Sequence, residues 1–328
     1  MGRSIEELAQ EKLLVLDGGM GTLLQERGLT SAELPEEWNI LHSEIVQTIH
    51  LDYLTAGAQI IETNTFGGTS VKLRAKGKEH LVAEVNRKGA QLAIGAVKAF
   101  RSSMGLAGEK RVVSDETFIA DEIVVSDERY IAGSIGPTGK IFEMGLTREE
   151  VDRAYSEQGS LLAGEGVDLF LVETMLDVRE AEIAVRTLKR ETSLPVFASI
   201  VFNRTKKGDF RTLFGNSVAD TLHCLLDAGA SGVGTNCGLL EEYIQVIREM
   251  RALTGAPLLL YPNAGLPILK DGKTIFNQTP EHMIAYLDAS IDAGATIIGG
   301  CCGTTPAYIR LIAERIKGKK LSRSNLKM

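Results

Sequence analysis

The chain has 328 residues, of which 44% are hydrophobic and 24% charged, enough apolar content for a sizeable buried core and too much for a disordered or collagen-like chain. With 36 basic against 43 acidic side chains the net charge is −7, which argues against nucleic acid as a partner. No apolar run reaches the roughly 18 residues of a membrane span, and residues 1–10 are polar where a signal peptide is apolar, so a cytoplasmic protein without a membrane partner is expected.

At the N-terminus Ser4 and Glu7 fit a capping box that opens a short helix. Short runs rich in Val, Ile, Leu and Phe then recur along the chain, and they predict strands at Leu13–Gly18, Gln59–Phe66, Tyr130–Pro137, Asp168–Met175, Pro195–Phe202, Gly232–Gly238, Pro257–Ala264 and Thr296–Gly303. Amphipathic segments lie between them, among them residues 44–58, 149–166, 178–192, 218–230 and 280–295, several closing on an Ala-Gly or Gly-Ala step suited to a helix C-cap.

Eight strand-helix units with near-continuous apolar strands predict a single-domain (β/α)8 barrel, with a doubly wound open sheet as the alternative. The N-terminal helix would cover the bottom of the barrel. Residues 1–316 are assigned to the barrel, and the basic, polar residues 317–328 to a tail or linker. The acidic stretch Val112–Arg129 precedes the third strand and so falls on the face away from chemistry, as a solvated excursion or a hairpin for partner contact.

In a barrel the reacting groups sit at the C-terminal ends of the strands. Cys237 closes the sixth predicted strand, and Cys301 and Cys302 close the eighth, so three thiols converge on one rim. Soft sulfur donors flanked by glycines suit Zn²⁺, and three protein ligands leave a fourth position open, the mark of a catalytic site. Buried small cysteines or a redox pair are the alternatives. Cys224 sits mid-helix among apolar neighbours and is expected to be a buried packing residue.

An ion already carrying three thiolates is a weak Lewis acid for water, but it can hold a substrate thiol as thiolate below its free pKa of about 8.5. Alkyl transfer to sulfur is the expected chemistry. Asn263, at the tip of the seventh strand, is either a ligand to the ion in the substrate-free state or a turn residue. Asp17 and Glu173 end apolar strands and are candidates for a substrate ammonium, with the amides around Gly18 and Ser134–Gly136 for its carboxylate. Thr65 and Asn236 join the substrate-binding candidates, and Glu62 and Asn64 are weaker ones on the same rim.

The segments LDGGMGT (16–22), ETNTFG (62–67), GSIGPTG (133–139), VET (172–174), TNCG (235–238), PNAGLP (262–267) and GGCCGTTP (299–306) resemble the homocysteine S-methyltransferase family over nearly the whole barrel. Within that family, PNAGLPILKDGKTIF is most similar to the homocysteine-binding module of cobalamin-dependent methionine synthases. The resemblance implies Cys237, Cys301 and Cys302 as zinc ligands, homocysteine as the thiol, and Asp17, Gly18 and Glu173 at its amino-acid end. It also implies methylcobalamin, carried by a separate corrinoid-binding domain or protein, as the methyl donor and methionine as the product. S-methylmethionine, S-adenosylmethionine or betaine as donor, a different thiol acceptor, and a non-catalytic zinc-stabilised binding module are the competing readings. The chain would then be either one module of a larger enzyme or a free-standing partner of separate proteins.

Overall fold

The structure is a computed structural model that describes residues 5–105, 119–120, 123–124, 128–142, 144–270 and 273–319. Eight strands form one parallel sheet: β1 (Leu14–Val15), β2 (Ile60–Glu62), β3 (Tyr130–Ile135), β4 (Leu169–Met175), β5 (Val196–Ile200), β6 (Gly232–Asn236), β7 (Leu258–Tyr261) and β8 (Ile297–Ile298). Each strand pairs with its neighbours in sequence, and β8 pairs with β1 through Leu14↔Ile297 and Val15↔Ile298. The parallel bridge Leu16↔Ile60 joins β1 to β2, and the sheet closes as a (β/α)8 barrel.

Alternation along the strands divides the core in two. Leu14, Leu16, Ile60, Leu169, Leu171, Phe197, Leu259 and Ile297 pack together inside the barrel, whereas Val15, Ile61, Phe170, Val172, Val196 and Leu260 face the helices. Both faces are therefore apolar, and burying a side chain of this size stabilises by about 1.5–3 kcal/mol. The N-terminal helix Ile5–Glu11 adds Ile5, Leu8 and Ala9, one helical face, to the interior cluster and stops the barrel's lower end. Its expected cap at Ser4 lies outside the described residues.

Local sequence sets the helix limits. Thr147 with Glu150 and Ser217 with Asp220 form reciprocal capping boxes, and helices Ser43–Ala56 and Arg148–Glu165 end at Gly57 and Gly166 with φ of 106° and 96°. Residues 280–295 depart from the single helix expected. They form Pro280–Ala285 and Leu287–Asp292, because the Tyr286 amide bonds to Met283 O three residues back and tightens the turn.

Except for β4, which ends at Met175 as expected, the ladders are also shorter at their C-terminal ends than the apolar runs, since the chain leaves the wall there to build the mouth. Two antiparallel hairpins not anticipated in the sequence rise from that mouth: Asn203–Arg204 with Phe210–Arg211 after β5, and Pro267–Lys270 with Lys273–Phe276 after β7. Within the acidic stretch 112–129 the described backbone includes one short antiparallel ladder, Ile119↔Val124 and Ala120↔Ile123. The expected tail lies outside the described residues from 320 onward. Cys224 is half-buried rather than buried, because its helix turns that position partly outward. No helix among the described residues is long and apolar enough to cross a membrane.

Candidate metal centre and substrate cradle

Cys237 immediately follows β6, and Cys301 and Cys302 lie just beyond β8, so the barrel itself delivers all three to the mouth. Their sulfur atoms lie within 4.8 Å of one another, with Cys301 Sγ and Cys302 Sγ 4.0 Å apart. A tetrahedral ion at about 2.3 Å from each sulfur spaces its ligands by about 3.8 Å, so the cluster fits zinc in both donor type and scale.

Adjacent strand residues normally point to opposite faces, and the backbone resolves this by turning at once. The Cys301 carbonyl accepts the Thr304 amide at 3.1 Å and the Thr304 hydroxyl at 2.6 Å, a tight turn straight after the strand. Cys301 N–H still bonds to Pro262 O at 2.8 Å, while Cys302 N–H donates to Asn263 Oδ1 at 3.1 Å. Gly19 packs against this turn so closely that a Cβ there would sit 2.7 Å from Cys301 O.

Among the described residues, Cys237 and Thr174 are the non-glycine residues with positive φ, 63° and 55°. A left-handed backbone costs about 1–3 kcal/mol at such positions and persists only where surroundings enforce it. Asn236 is the enforcing group. Its Oδ1 accepts the Thr174 amide at 3.0 Å and Ser199 Oγ at 2.8 Å, and its Nδ2 donates to Thr174 Oγ1 at 2.7 Å and lies 3.8 Å from Cys301 Sγ. The residue is fully buried, so it supports the site from behind.

Hydrogen bonding among the three sulfurs shifts their acidities apart. S–H donation from Cys301 and Cys302, helped by the Asn263 amide, pulls Cys237 down to about 3. Hydrogen bonding to Cys237 pushes Cys302 up to about 12 and raises Cys301 as well. In this arrangement Asn263 spends its oxygen on Cys302 N–H and turns its NH₂ toward Cys237, and it orients the ligands.

Beside the cluster stand three carboxyl groups: Asp17 past β1, Glu62 ending β2 and Glu173 within β4. Burial, more than any other influence, raises all three; the Glu173 charge adds to it at Asp17 and Glu62, and the Cys237 charge at Glu173. Glu173, 7% exposed, is held at about 7 even though Ser134 Oγ donates to its Oε1 at 2.5 Å. Asp17 Oδ2 accepts the Glu62 amide at 2.9 Å. Asp17 Oδ1 and Glu62 Oε1 are buried without a hydrogen-bond partner among the described residues. The Lys72 ammonium, 4.4 Å from the Phe66 ring centroid, is the nearby cation that opposes the rise at Glu173.

Not every candidate faces this space. Thr65 is fully buried, its hydroxyl donating to Ser134 O at 2.8 Å, and it ties the β2 tip to β3. Asn64 serves the same wall through Pro35 O and Asn39 Oδ1. The amides of Ser134 and Gly136, expected to take a carboxylate, are already bonded to Thr63 Oγ1 at 3.0 Å and Phe66 O at 2.9 Å. The Gly18 amide, in contrast, has no hydrogen bond among the described residues. Glu62 ranks higher here than its sequence reading gave it. Its signal was the one that marked Glu173, an acid ending an apolar strand.

The sequence profile of the homocysteine S-methyltransferase family matches residues 14–316. Methionine synthases of Mycobacterium tuberculosis (strain ATCC 25618 / H37Rv) and Mycobacterium leprae (strain TN) are each 30% identical over 96% and 95% of this chain. The chain spans about a quarter of the length of these relatives, 25% in each case. Among solved structures, the metallated homocysteine methyltransferase MmuM of Escherichia coli superposes with a TM-score of 0.76 at 25% identity, covering 94% of this chain and 98% of that one. With a profile match across the whole barrel, the chain belongs to the homocysteine S-methyltransferase family.

Proposed function

We propose that this barrel binds homocysteine and transfers a methyl group to its sulfur, forming methionine. The observation that carries the reading is the placement of three cysteine sulfurs, within 4.8 Å of one another, beside the buried carboxyl groups of Asp17 and Glu173 and the half-buried one of Glu62 at one barrel mouth. That pairing matches the two ends of an amino-acid thiol. The metallated state of the Escherichia coli neighbour and the name of the mycobacterial relatives support it.

Cys237, Cys301 and Cys302 would hold Zn²⁺. When bound there, the ion would keep the substrate sulfur as thiolate at neutral pH while leaving it nucleophilic. Asp17 and Glu173 take the substrate ammonium, which turns their mutual repulsion into attraction. The Gly18 amide is open to the substrate carboxylate, and Ser134 fixes the Glu173 carboxyl by its 2.5 Å hydrogen bond. Asn236 and Asn263 set the directions of the cysteines, and Thr65 holds the β2 tip in place. Residues 1–316 form the working barrel in this reading, and 317–328 a tail.

For the donor we infer methylcobalamin presented by a corrinoid-binding domain or protein, on the resemblance of the segment after β7 and the mycobacterial relatives. A small methylated sulfonium or ammonium donor is the second reading. It is favoured by the coverage of 98% of the Escherichia coli homocysteine methyltransferase chain, a methyltransferase no larger than this barrel. One experiment separates them: the visible spectrum of methylcobalamin mixed with zinc-loaded protein, with and without homocysteine, alongside assays with small donors. Homocysteine-dependent demethylation that a zinc chelator abolishes supports the first. Methionine formed only from a small donor supports the second, and zinc-loaded protein that binds homocysteine yet turns over no donor points to a binding module.

A further inference from the structure

An amino-acid substrate brings a carboxylate as well as an ammonium, and the mouth is short of donors for it. The amides of Ser134 and Gly136 are occupied within the fold. The side chains that crowd this space are themselves acids. Two of their oxygens, Oδ1 of Asp17 and Oε1 of Glu62, are buried with no partner among the described residues, and Asp17 is only 2% exposed. Leaving such an atom unpaired is unfavourable, so the cradle is complementary to something that pairs both.

The two acids are not equivalent. Asp17 Oδ2 accepts the Glu62 amide, and that donor favours its ionised form. No donor to the Glu62 carboxyl is found among the described residues. The charged groups that act on it are Asp17 beyond β1 and Glu173 on β4, with no lysine, arginine or histidine doing so among the described residues, and the nearby hydroxyls of Tyr53 and Tyr261 are bonded to Thr304 O and Ser199 Oγ. Burial, then Glu173, then Asp17 raise its pKa well above the ordinary carboxyl range. Of the three acids, Asp17 and Glu173 each accept a hydrogen bond and Glu62 accepts none among the described residues, so the neutral form is favoured most at Glu62.

We propose that Glu62 reads the substrate's α-carboxylate, donating its carboxyl hydrogen to it while Asp17 and Glu173 take the α-ammonium. The inference rests on the amino-thiol reading above and deepens it. A neutral acid donating to a carboxylate makes a charge-assisted hydrogen bond, and it removes the repulsion an ionised Glu62 would exert on that carboxylate. The Gly18 amide is placed to supply a second donor. The cradle therefore selects a zwitterion, because a thiol bearing only one of the two charges leaves half of it unpaired.

Three thiols test this on the zinc-loaded full chain by calorimetry: homocysteine, 3-aminopropanethiol, which lacks the carboxylate, and 4-mercaptobutanoate, which lacks the ammonium. Glu62→Ala is expected to weaken homocysteine and 4-mercaptobutanoate by about tenfold or more and to leave 3-aminopropanethiol unchanged. Glu62→Gln, which still offers an N–H donor, should bind homocysteine about as well as the parent at pH 7. As pH rises it should also lose the penalty that ionisation of Glu62 imposes on the parent. Zinc content measured for each variant identifies a collapsed site, in which case Glu62→Gln decides. Loss of 3-aminopropanethiol with 4-mercaptobutanoate spared would put Glu62 on the ammonium and overturn the proposal, as would a Glu62→Gln protein that keeps zinc but loses homocysteine. A parent protein that binds zinc and none of the three thiols overturns the amino-thiol reading itself.

Discussion

Asn236 clamps Thr174 at two points, accepting its amide at 3.0 Å and donating to its hydroxyl at 2.7 Å, and so holds a β-branched residue at φ 55°. The clamp joins the tips of β4 and β6, the strands that carry Glu173 and lead into Cys237. The acid-lined side of the mouth and the cysteine cluster thus share one buried amide.

Replacing it with alanine should therefore damage both. Asn236→Ala is expected to destabilise the fold by about 3 kcal/mol, the sum of several buried hydrogen bonds and a small cavity. Zinc affinity should fall about ten- to hundredfold, the usual cost of losing a group that orients ligands. Thermal melting with a competitive zinc titration measures both, and a variant with parental zinc affinity would show that the clamp does not reach the cysteines.

Cys302→Ala removes one of the three proposed ligands rather than its support. Zinc affinity and homocysteine affinity are expected to fall together, by more than the Asn236 variant shows, and methyl transfer with them. Cys224→Ala, on the helix Val218–Asp227 away from the mouth, should leave all three unchanged. Full activity with one zinc per chain in the Cys302 variant would rule out the three-sulfur centre.

The barrel was legible because its strands are apolar on both faces, a pattern that a parallel sheet covered by helices requires. The thiols were legible for a related reason, since strand ends in a barrel converge whatever the loops do. What escaped the sequence was decided by hydrogen bonds between distant segments. Ser134 and Thr63 are 71 residues apart, and only their 3.0 Å contact reveals that the expected carboxylate donor is spent. The left-handed turns at Thr174 and Cys237 are likewise invisible to propensity, which disfavours them, and exist because Asn236 and the neighbouring strands impose them. The two mouth hairpins rest on short pairings that a run of polar and apolar residues does not announce.

The acid cradle should give the metal-free protein an unusual pH dependence. Burial holds Glu173 at about 7 in the fold, against an ordinary value of 4.5. Folding favours the neutral acid, so its contribution is complete below about pH 4.5 and is lost as pH rises through about 7. The loss is on the order of 3 kcal/mol, and Asp17 and Glu62 act in the same direction. Glu173→Gln should therefore melt higher than the parent at pH 8, with the difference shrinking toward pH 5, while binding homocysteine more weakly. A parent and variant whose melting temperatures keep a constant gap from pH 5 to 8 would show that Glu173 is ionised in the fold throughout.

The divided acidities of the sulfurs predict a chemical fingerprint for the metal-free state. Cys237, with two thiols donating to it, is held down at about 3, whereas hydrogen bonding to Cys237 pushes Cys302 up to about 12 and burial raises the half-buried Cys224. The thiolate is the nucleophile toward alkylating reagents, and a thiol of raised pKa gains reactivity about tenfold per pH unit. A thiolate of low pKa is intrinsically less nucleophilic, so its rate is modest but flat with pH. Brief iodoacetamide treatment at pH 6 in the presence of a chelator should therefore modify Cys237 first, as read by peptide mass spectrometry, with a rate that changes little between pH 5.5 and 7.5. Stoichiometric zinc should suppress that labelling and leave Cys224 as it was. Four cysteines that label with one common, steeply rising pH profile would mean that no clamped thiolate exists, and that the sulfurs come together only when a metal draws them in.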